Sequence, residues 1–216
     1  MNPEGKIVIL TGASAGIGRA AAYVLAQAGC RLALAARRAD VLADIVADLR
    51  GLGTEVEAFP TDMGDTRQAA ALVHRTVEKF GGLDVVINNA AVGLSSPIAE
   101  MDETLARQMM DVNYFGPIAL IQAAVPYLKK NSDGGLIINI SSIVGRRAVP
   151  GIGNYCASKA ALERMAESLR VELAADNIRV STVYPGVTQT DFVRNSLGNP
   201  AGRQHRMRGV PPERVA

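Results

Sequence analysis

The chain has 216 residues, 48% of them hydrophobic and 20% charged, with a net charge of +2, no Trp and only 4% aromatic residues. That balance fits one α/β domain over residues 1–216 with a core of Val, Ile, Leu and Ala, and it excludes a disordered chain. The near-neutral charge gives no ground for a nucleic-acid or membrane partner. No apolar run approaches the ~18 residues of a membrane span, and strand-like sequence from Lys6 leaves no room for a signal peptide, so a soluble cytoplasmic protein is expected.

Strand and helix signals alternate along the chain. Short apolar runs at 6–10, 31–35, 55–59, 85–88, 136–140 and 179–184 read as strands without strict alternation, as expected for strands covered on both faces. Between them, 16–28, 39–52, 67–80, 105–130 and 155–175 read as helices. The pattern predicts a doubly wound parallel sheet. No repeat, low-complexity tract or linker interrupts it before Thr188.

The first strand runs into Thr11-Gly12-Ala13-Ser14-Ala15-Gly16-Ile17-Gly18, a glycine turn that opens a helix. Glycines allow positive φ and close backbone approach, while the free N–H groups and dipole of the helix start attract a pyrophosphate. The spacing is GxxxGxG, distinct from the commoner GxGxxG dinucleotide fingerprint.

Further along, Asp111-Val112-Asn113-Tyr114-Phe115-Gly116-Pro117 lies inside an expected helix. Pro117 has no N–H, so the Asn113 carbonyl loses its α-helical donor, and a kink with an acceptor open to water is expected. A proline kink serving packing alone would leave the same pattern.

The fifth strand ends at Ser141-Ser142, and in parallel sheets ligands bind outside the carboxyl ends of the strands. Thirteen residues on, Tyr155 and Lys159 are spaced to share one helix face. A phenol of ordinary pKa ~10 is a poor acid or base at neutral pH. An ammonium ~4 Å away at an effective dielectric of ~20 favours the phenolate by about 4 kcal/mol, as much as ~3 pKa units before screening. Tyr155 is therefore a candidate general acid and base.

Cys30 and Cys156 form no CxxC and no metal spacing, so packed, reduced thiols are expected; the alternative is a reactive Cys156 at the pocket edge. His74 and His205 lie far apart in sequence without a third ligand, and no metal site is expected.

Thr11-Gly12-xxx-Gly16-Ile17-Gly18, Asn88-Asn89-Ala90, Asn113, Ser142, Tyr155-xxx-Lys159 and Pro185-Gly186 occur in an order and spacing that resemble the short-chain dehydrogenase/reductase family, over essentially the whole chain to about Asp191. The resemblance implies a Rossmann fold, a nicotinamide cofactor and hydride transfer with a small carbonyl or alcohol substrate, in a homo-oligomer that is a dimer or tetramer. It implies that Tyr155 exchanges the proton, Ser142 polarises the carbonyl oxygen, Lys159 lowers the tyrosine pKa and holds the nicotinamide ribose, and Asn113 completes a proton relay. For the cofactor it implies contacts from Gly12, Ser14, Gly16, Ile17 and Gly18, from Asp62 and Met63 at the adenine, from Asn89 at the ribose, and from Pro185, Gly186, Thr188 and Thr190 at the carboxamide.

Cofactor choice is argued at the end of the second strand. Ala36 stands where the resemblance places the carboxylate of an NAD site, and Arg37 and Arg38 follow. A guanidinium suits a 2′-phosphate, so Arg37, with Arg38 and Ser14, argues for NADP(H). Two arginines facing solvent at a helix start would read the same way.

Two departures stand out. Ala91 replaces the family's usual glycine after Asn-Asn-Ala, and no sequence for the family's last helix and seventh strand follows Pro211-Pro212. Residues 187–210 are expected to cover the substrate pocket. They contain Arg203, His205, Arg206 and Arg208, read as a solvated basic loop or as contacts for an anionic substrate, a role for which Arg146 and Arg147 are better placed. The alternative to an enzyme is an NADP-binding regulatory or structural module without turnover.

Overall fold

A computed structural model describes residues 2–192, 196–197 and 209–216. Six strands, β1 (Ile7–Thr11), β2 (Arg31–Ala36), β3 (Val56–Pro60), β4 (Val85–Asn88), β5 (Gly135–Ile140) and β6 (Ile178–Val183), form one sheet in the order β3-β2-β1-β4-β5-β6. Every pairing is parallel. The helices are α1 (Gly16–Gln27), α2 (Ala39–Gly51), α3 (Thr66–Phe80), α4 (Glu103–Met110), α5 (Gly116–Leu128) and α6 (Gly153–Glu172).

The period of two along each strand sorts the core into two layers. Ile7, Ile9, Ala33, Val86, Ile137 and Val180 pack with residues of α3, α4, α5 and α6 on one face. Val8, Leu10, Leu32, Leu34 and Ile87 pack with α1 and α2 on the other. β1 is buried along its whole length, as a strand covered on both faces must be. β1 also pairs with both β2 and β4, so strand order reverses beside it. The crevice at that reversal is where an open parallel sheet binds ligands.

Two expectations are corrected. Coverage on both faces fails at β5 and β6, whose buried residues alternate with partly or fully exposed ones. Ile138, Ile140 and Val183 instead line an apolar groove with Ile17, Val24 and Val215. The helix expected over 105–130 runs without a gap from Glu103 to Leu128 but is not α-helical throughout. Asp111–Phe115 forms a π-helical turn in which the Gly116 N–H reaches back five residues to the Asp111 carbonyl. Pro117 has no N–H to continue the α-helical ladder, and a wider turn absorbs the mismatch. Gly116 is required there because a Cβ would run into the Met63 carbonyl.

After β6 the described residues contain no seventh strand and no further α-helix. A 3₁₀ turn at Pro212–Arg214 packs against α1. No helix of the described residues is long and apolar enough to cross a membrane.

Candidate active site

The crevice floor is built by Thr11 at the end of β1. Its hydroxyl donates to the Ile87 carbonyl at 3.2 Å and accepts from the N–H groups of Asn89 and Ala90 at 3.0 and 3.1 Å, locking β1 to β4. The Asn89 amide donates to the carbonyls of Thr11 at 2.8 Å and Gly12 at 3.3 Å. Asn89, expected at a ribose, thus shapes the glycine turn itself.

That turn is closed to larger residues. Gly12 has φ +68°, and a Cβ would lie 2.8 Å from Ala90 Cα. At Gly18 a Cβ would strike the Gly12 carbonyl and the Asn89 amide. The residue ahead of α1, Ala15, makes no side-chain cap, which leaves the first-turn N–H groups for a ligand. Glycine, free N–H groups and helix start together fit a pyrophosphate.

Thr190, expected near a carboxamide, lies over the same turn: a Cβ on Gly16 would be 2.8 Å from its methyl group, and its hydroxyl accepts from Phe192 N at 3.3 Å. Thr188 donates to the Gly186 carbonyl at 3.2 Å, and Pro185 is buried with its carbonyl accepting from Ile143 N at 3.1 Å. Arg203, His205, Arg206 and Arg208 lie outside the described residues.

At the end of β2 the Arg38 guanidinium donates to the Ser14 carbonyl and hydroxyl at 3.0 and 3.1 Å, and Arg37 is exposed beside it. The β2 end and the glycine turn therefore adjoin. Asp62 accepts from Gly64 N at 2.9 Å, while Met63 is buried in the core.

Ser142 follows β5 in extended conformation and opens a 3₁₀ turn, with its hydroxyl accepting from Val144 N at 3.4 Å. Ser141 is buried and points its hydroxyl at the Lys159 carbonyl, 3.5 Å away. The Ser142 hydroxyl reaches Tyr155 on the first turn of α6. Lys159 is 2% exposed and donates to the Ile140 carbonyl at 2.8 Å, with its Nζ 5.9 Å from the Tyr155 ring centroid. The Phe192 ring covers Tyr155 at 5.3 Å between centroids.

The electrostatics of this state differ from the expectation. Burial pushes the Tyr155 phenol above its ordinary value, against a lowering by the Ser142 hydrogen bond, and Cys156 adds to the rise. Burial likewise lowers Lys159 to about 8. The lysine is engaged by a carbonyl, so the expected depression of the phenol is not established in this arrangement.

Asn113, 1% exposed, exchanges two 2.9 Å hydrogen bonds with the Val92 backbone and donates to Ser158 Oγ at 3.0 Å. Ser158 donates in turn to the Tyr155 carbonyl at 2.8 Å. The π turn is thereby tied to the helix that carries Tyr155. Ser158, Glu163 and Tyr184 were not singled out from sequence; the signal for Glu163 is a charged residue two turns beyond Tyr155 on the same helix face.

Both cysteines are buried free thiols, and among the described residues no cluster of His, Cys, Asp and Glu could hold a metal. Arg146, a candidate for a substrate anion, is engaged by Glu163 and stacked on Tyr184 with its side chain still 60% exposed, and Arg147 is exposed too.

Comparison with known proteins places this geometry. Residues 6–200 match the family model described as short chain dehydrogenase. The chain is 35% identical to "Dehydrogenase/reductase SDR family protein 7-like" of Drosophila melanogaster, over 98% of this chain and 68% of that one. A counterpart of the same description in Anopheles gambiae is 36% identical over 90% of this chain, which spans 62% of it. Among solved structures, a short chain dehydrogenase/reductase from Burkholderia phymatum in complex with NAD superposes with TM-score 0.88 at 29% identity, covering 96% of this chain and 75% of that one. An alcohol dehydrogenase from Thermococcus sibiricus complexed with 5-hydroxy-NADP gives TM-score 0.88 at 30% identity, covering 98% and 87%. A six-stranded sheet reversed beside β1, a closed glycine turn at the reversal and a family match over most of the length lead to one assignment: the chain belongs to the short-chain dehydrogenase family of oxidoreductases, which use a nicotinamide cofactor.

Proposed function

We propose that the protein is an NADP(H)-dependent oxidoreductase that transfers hydride between the nicotinamide and a small carbonyl or alcohol substrate. The observation that carries this reading is the convergence of Ser142, Tyr155 and Lys159 at the carboxyl end of β5, across the crevice from the glycine turn. Gly12, Gly16, Ile17 and Gly18 hold the pyrophosphate, and Asp62 and Met63 bound the adenine side. Asn89 supports the turn beneath the ribose, while Pro185, Gly186, Thr188 and Thr190 hold the carboxamide end. Bound NADPH supplies the hydride, and the oxidised form accepts it in the reverse direction.

In reduction the Tyr155 phenol gives its proton to the carbonyl oxygen as the carbon gains hydride, and Ser142 donates a hydrogen bond to the same oxygen. In oxidation the proton returns to the phenolate. The raised phenol of the present arrangement favours the acid form; turning the Lys159 Nζ from the Ile140 carbonyl towards the phenol and the ribose would lower it. Asn113, linked through Ser158 to the Tyr155 backbone, fixes the helix during proton return.

The preference for NADP(H) rests on Arg37 and Arg38, at the end of a β2 strand that carries no carboxylate. Arg38 is already bonded to Ser14 of the glycine turn, and Arg37 is exposed beside it to meet a 2′-phosphate. Paired titrations with NADPH and NADH, followed by nicotinamide fluorescence, test the reading. Tighter binding of NADPH, followed by its oxidation with ketones, aldehydes or quinones, is expected. Equal or tighter binding of NADH would overturn the cofactor assignment, and cofactor binding without turnover of any carbonyl would indicate a binding module.

A further inference from the structure

Glu163 is a carboxylate in an unexpected place. It lies on α6 one turn beyond Lys159, its side chain is 2% exposed, and arginines cover it from the solvent side. Arg146 Nε donates to Glu163 Oε1 at 2.9 Å and Arg164 to the same oxygen at 3.1 Å. The three groups are not equivalent. Arg164 is the next residue on the same helix and also pairs with Glu167 at 2.6 Å, so its bond to Glu163 is local. Arg146 comes from the 3₁₀ turn that Ser142 opens, 17 residues away in sequence.

Arg146 also spans to a third element. Its guanidinium carbon lies 3.8 Å from the centroid of the Tyr184 ring, directly after β6 and ahead of Pro185. The Tyr184 hydroxyl and both arginines hold the Glu163 carboxyl below its usual range despite burial. The same turn is packed flat on α6: a Cβ on Gly145 would sit 3.3 Å from Lys159 Cβ. Its further ties to the neighbouring elements include the backbone bond from Ile143 N to the Pro185 carbonyl, the Arg146 to Glu163 pair and the stacking of Arg146 on Tyr184.

The pair joins a buried carboxylate to arginines whose side chains are 60% and 68% exposed, so water screens the attraction and its net contribution to stability is small, but it links the turn to the helix at one point. We propose that Glu163 is a positioning residue: through Arg146 it holds the turn that carries Ser142 at a fixed distance from Tyr155 on the same helix as itself. The inference rests on the functional reading above, in which the Ser142 hydroxyl and the phenol must reach one oxygen atom. A displacement of about 1 Å in such an arrangement costs on the order of a hundredfold in rate.

The test compares the wild type with Glu163→Gln, Arg146→Met and the double variant, using two readouts. The first, amide exchange of residues 141–146, needs no substrate; it is expected to quicken on the order of tenfold in each single variant while β1 and α1 keep their protection. The second is kcat, expected to fall roughly ten- to a hundredfold with NADPH affinity retained, and to fall no further in the double variant than in Arg146→Met. Unchanged exchange at 141–146 would overturn the proposal, as would strictly additive losses, or quickened exchange with kcat intact. A protein-wide rise in exchange would mark Glu163 as a general stabiliser and overturn it too. If the wild type turns over no carbonyl, the functional reading fails, and the exchange result alone decides whether Glu163 places the turn.

Discussion

The Lys159 ammonium donates to the Ile140 carbonyl at 2.8 Å while the lysine is only 2% exposed, so a charged group is kept inside the protein on one hydrogen bond. Burial lowers its pKa from 10.5 to about 8. Between those values the unfolded chain binds more protons than the folded one, so this group makes stability rise with pH across that window. Lys159→Met is therefore expected to gain stability relative to wild type near pH 7, by up to about 3 kcal/mol before the lost hydrogen bond is counted. The difference should narrow from pH 8 to 10.5, as measured by urea unfolding at several pH values. A difference independent of pH would show that the lysine is not destabilised by burial.

Tyr155→Phe removes the hydroxyl while keeping the ring that packs against Phe192. Turnover should drop by about 10²- to 10⁴-fold, the usual share of a general acid or base, with NADPH affinity and melting temperature nearly unchanged. The pH dependence carries a second check. Burial holds the phenol above its ordinary value, so alcohol oxidation, which in the proposed mechanism needs the phenolate, should rise with pH in wild type. An oxidation rate flat in pH would mean that another group takes the proton.

These two residues were legible in the sequence because their relationship is local: a spacing of four on a helix is visible without a structure. Their environment was not. The carbonyl that holds Lys159 belongs to β5, and the burial that raises Tyr155 comes from long-range packing. The π turn shows the same division. The missing N–H of Pro117 announces that the ladder breaks, but its resolution five residues back depends on Gly116 lying against the Met63 carbonyl. Composition likewise marked β5 and β6 as apolar, yet which of their faces receives a helix is a property of the assembled sheet. Asn89 shows a further limit: its side chain is spent on the carbonyls of Thr11 and Gly12, a contact that a pattern of residues cannot separate from a contact to ligand.

Gly18→Ala tests the glycine turn. The added methyl group meets the Gly12 carbonyl and the Asn89 amide, and neither can withdraw without disturbing the bonds Asn89 makes to Thr11 and Gly12. Overpacking of this kind costs about 1–3 kcal/mol. Both cofactors should bind more weakly and the melting temperature should fall. A variant that binds NADPH as tightly as wild type would show that the turn can open away from Gly18.

Arg37→Ala addresses cofactor choice with a clean contrast. Arg38 is held by Ser14, whereas Arg37 is exposed and its removal disturbs no hydrogen bond of the described structure. A hydrogen bond to a charged group contributes about 1.5–3 kcal/mol, so the dissociation constant for NADPH should rise roughly ten- to a hundredfold. NADH has no 2′-phosphate and should bind the variant and wild type alike. Added salt should weaken NADPH binding to wild type more than to the variant, since one phosphate–guanidinium attraction is screened in the first and absent in the second. Equal losses for the two cofactors would indicate that Arg37 acts on the shape of the β2 to α2 connection, and the discrimination would then have to lie with Arg38 and Ser14.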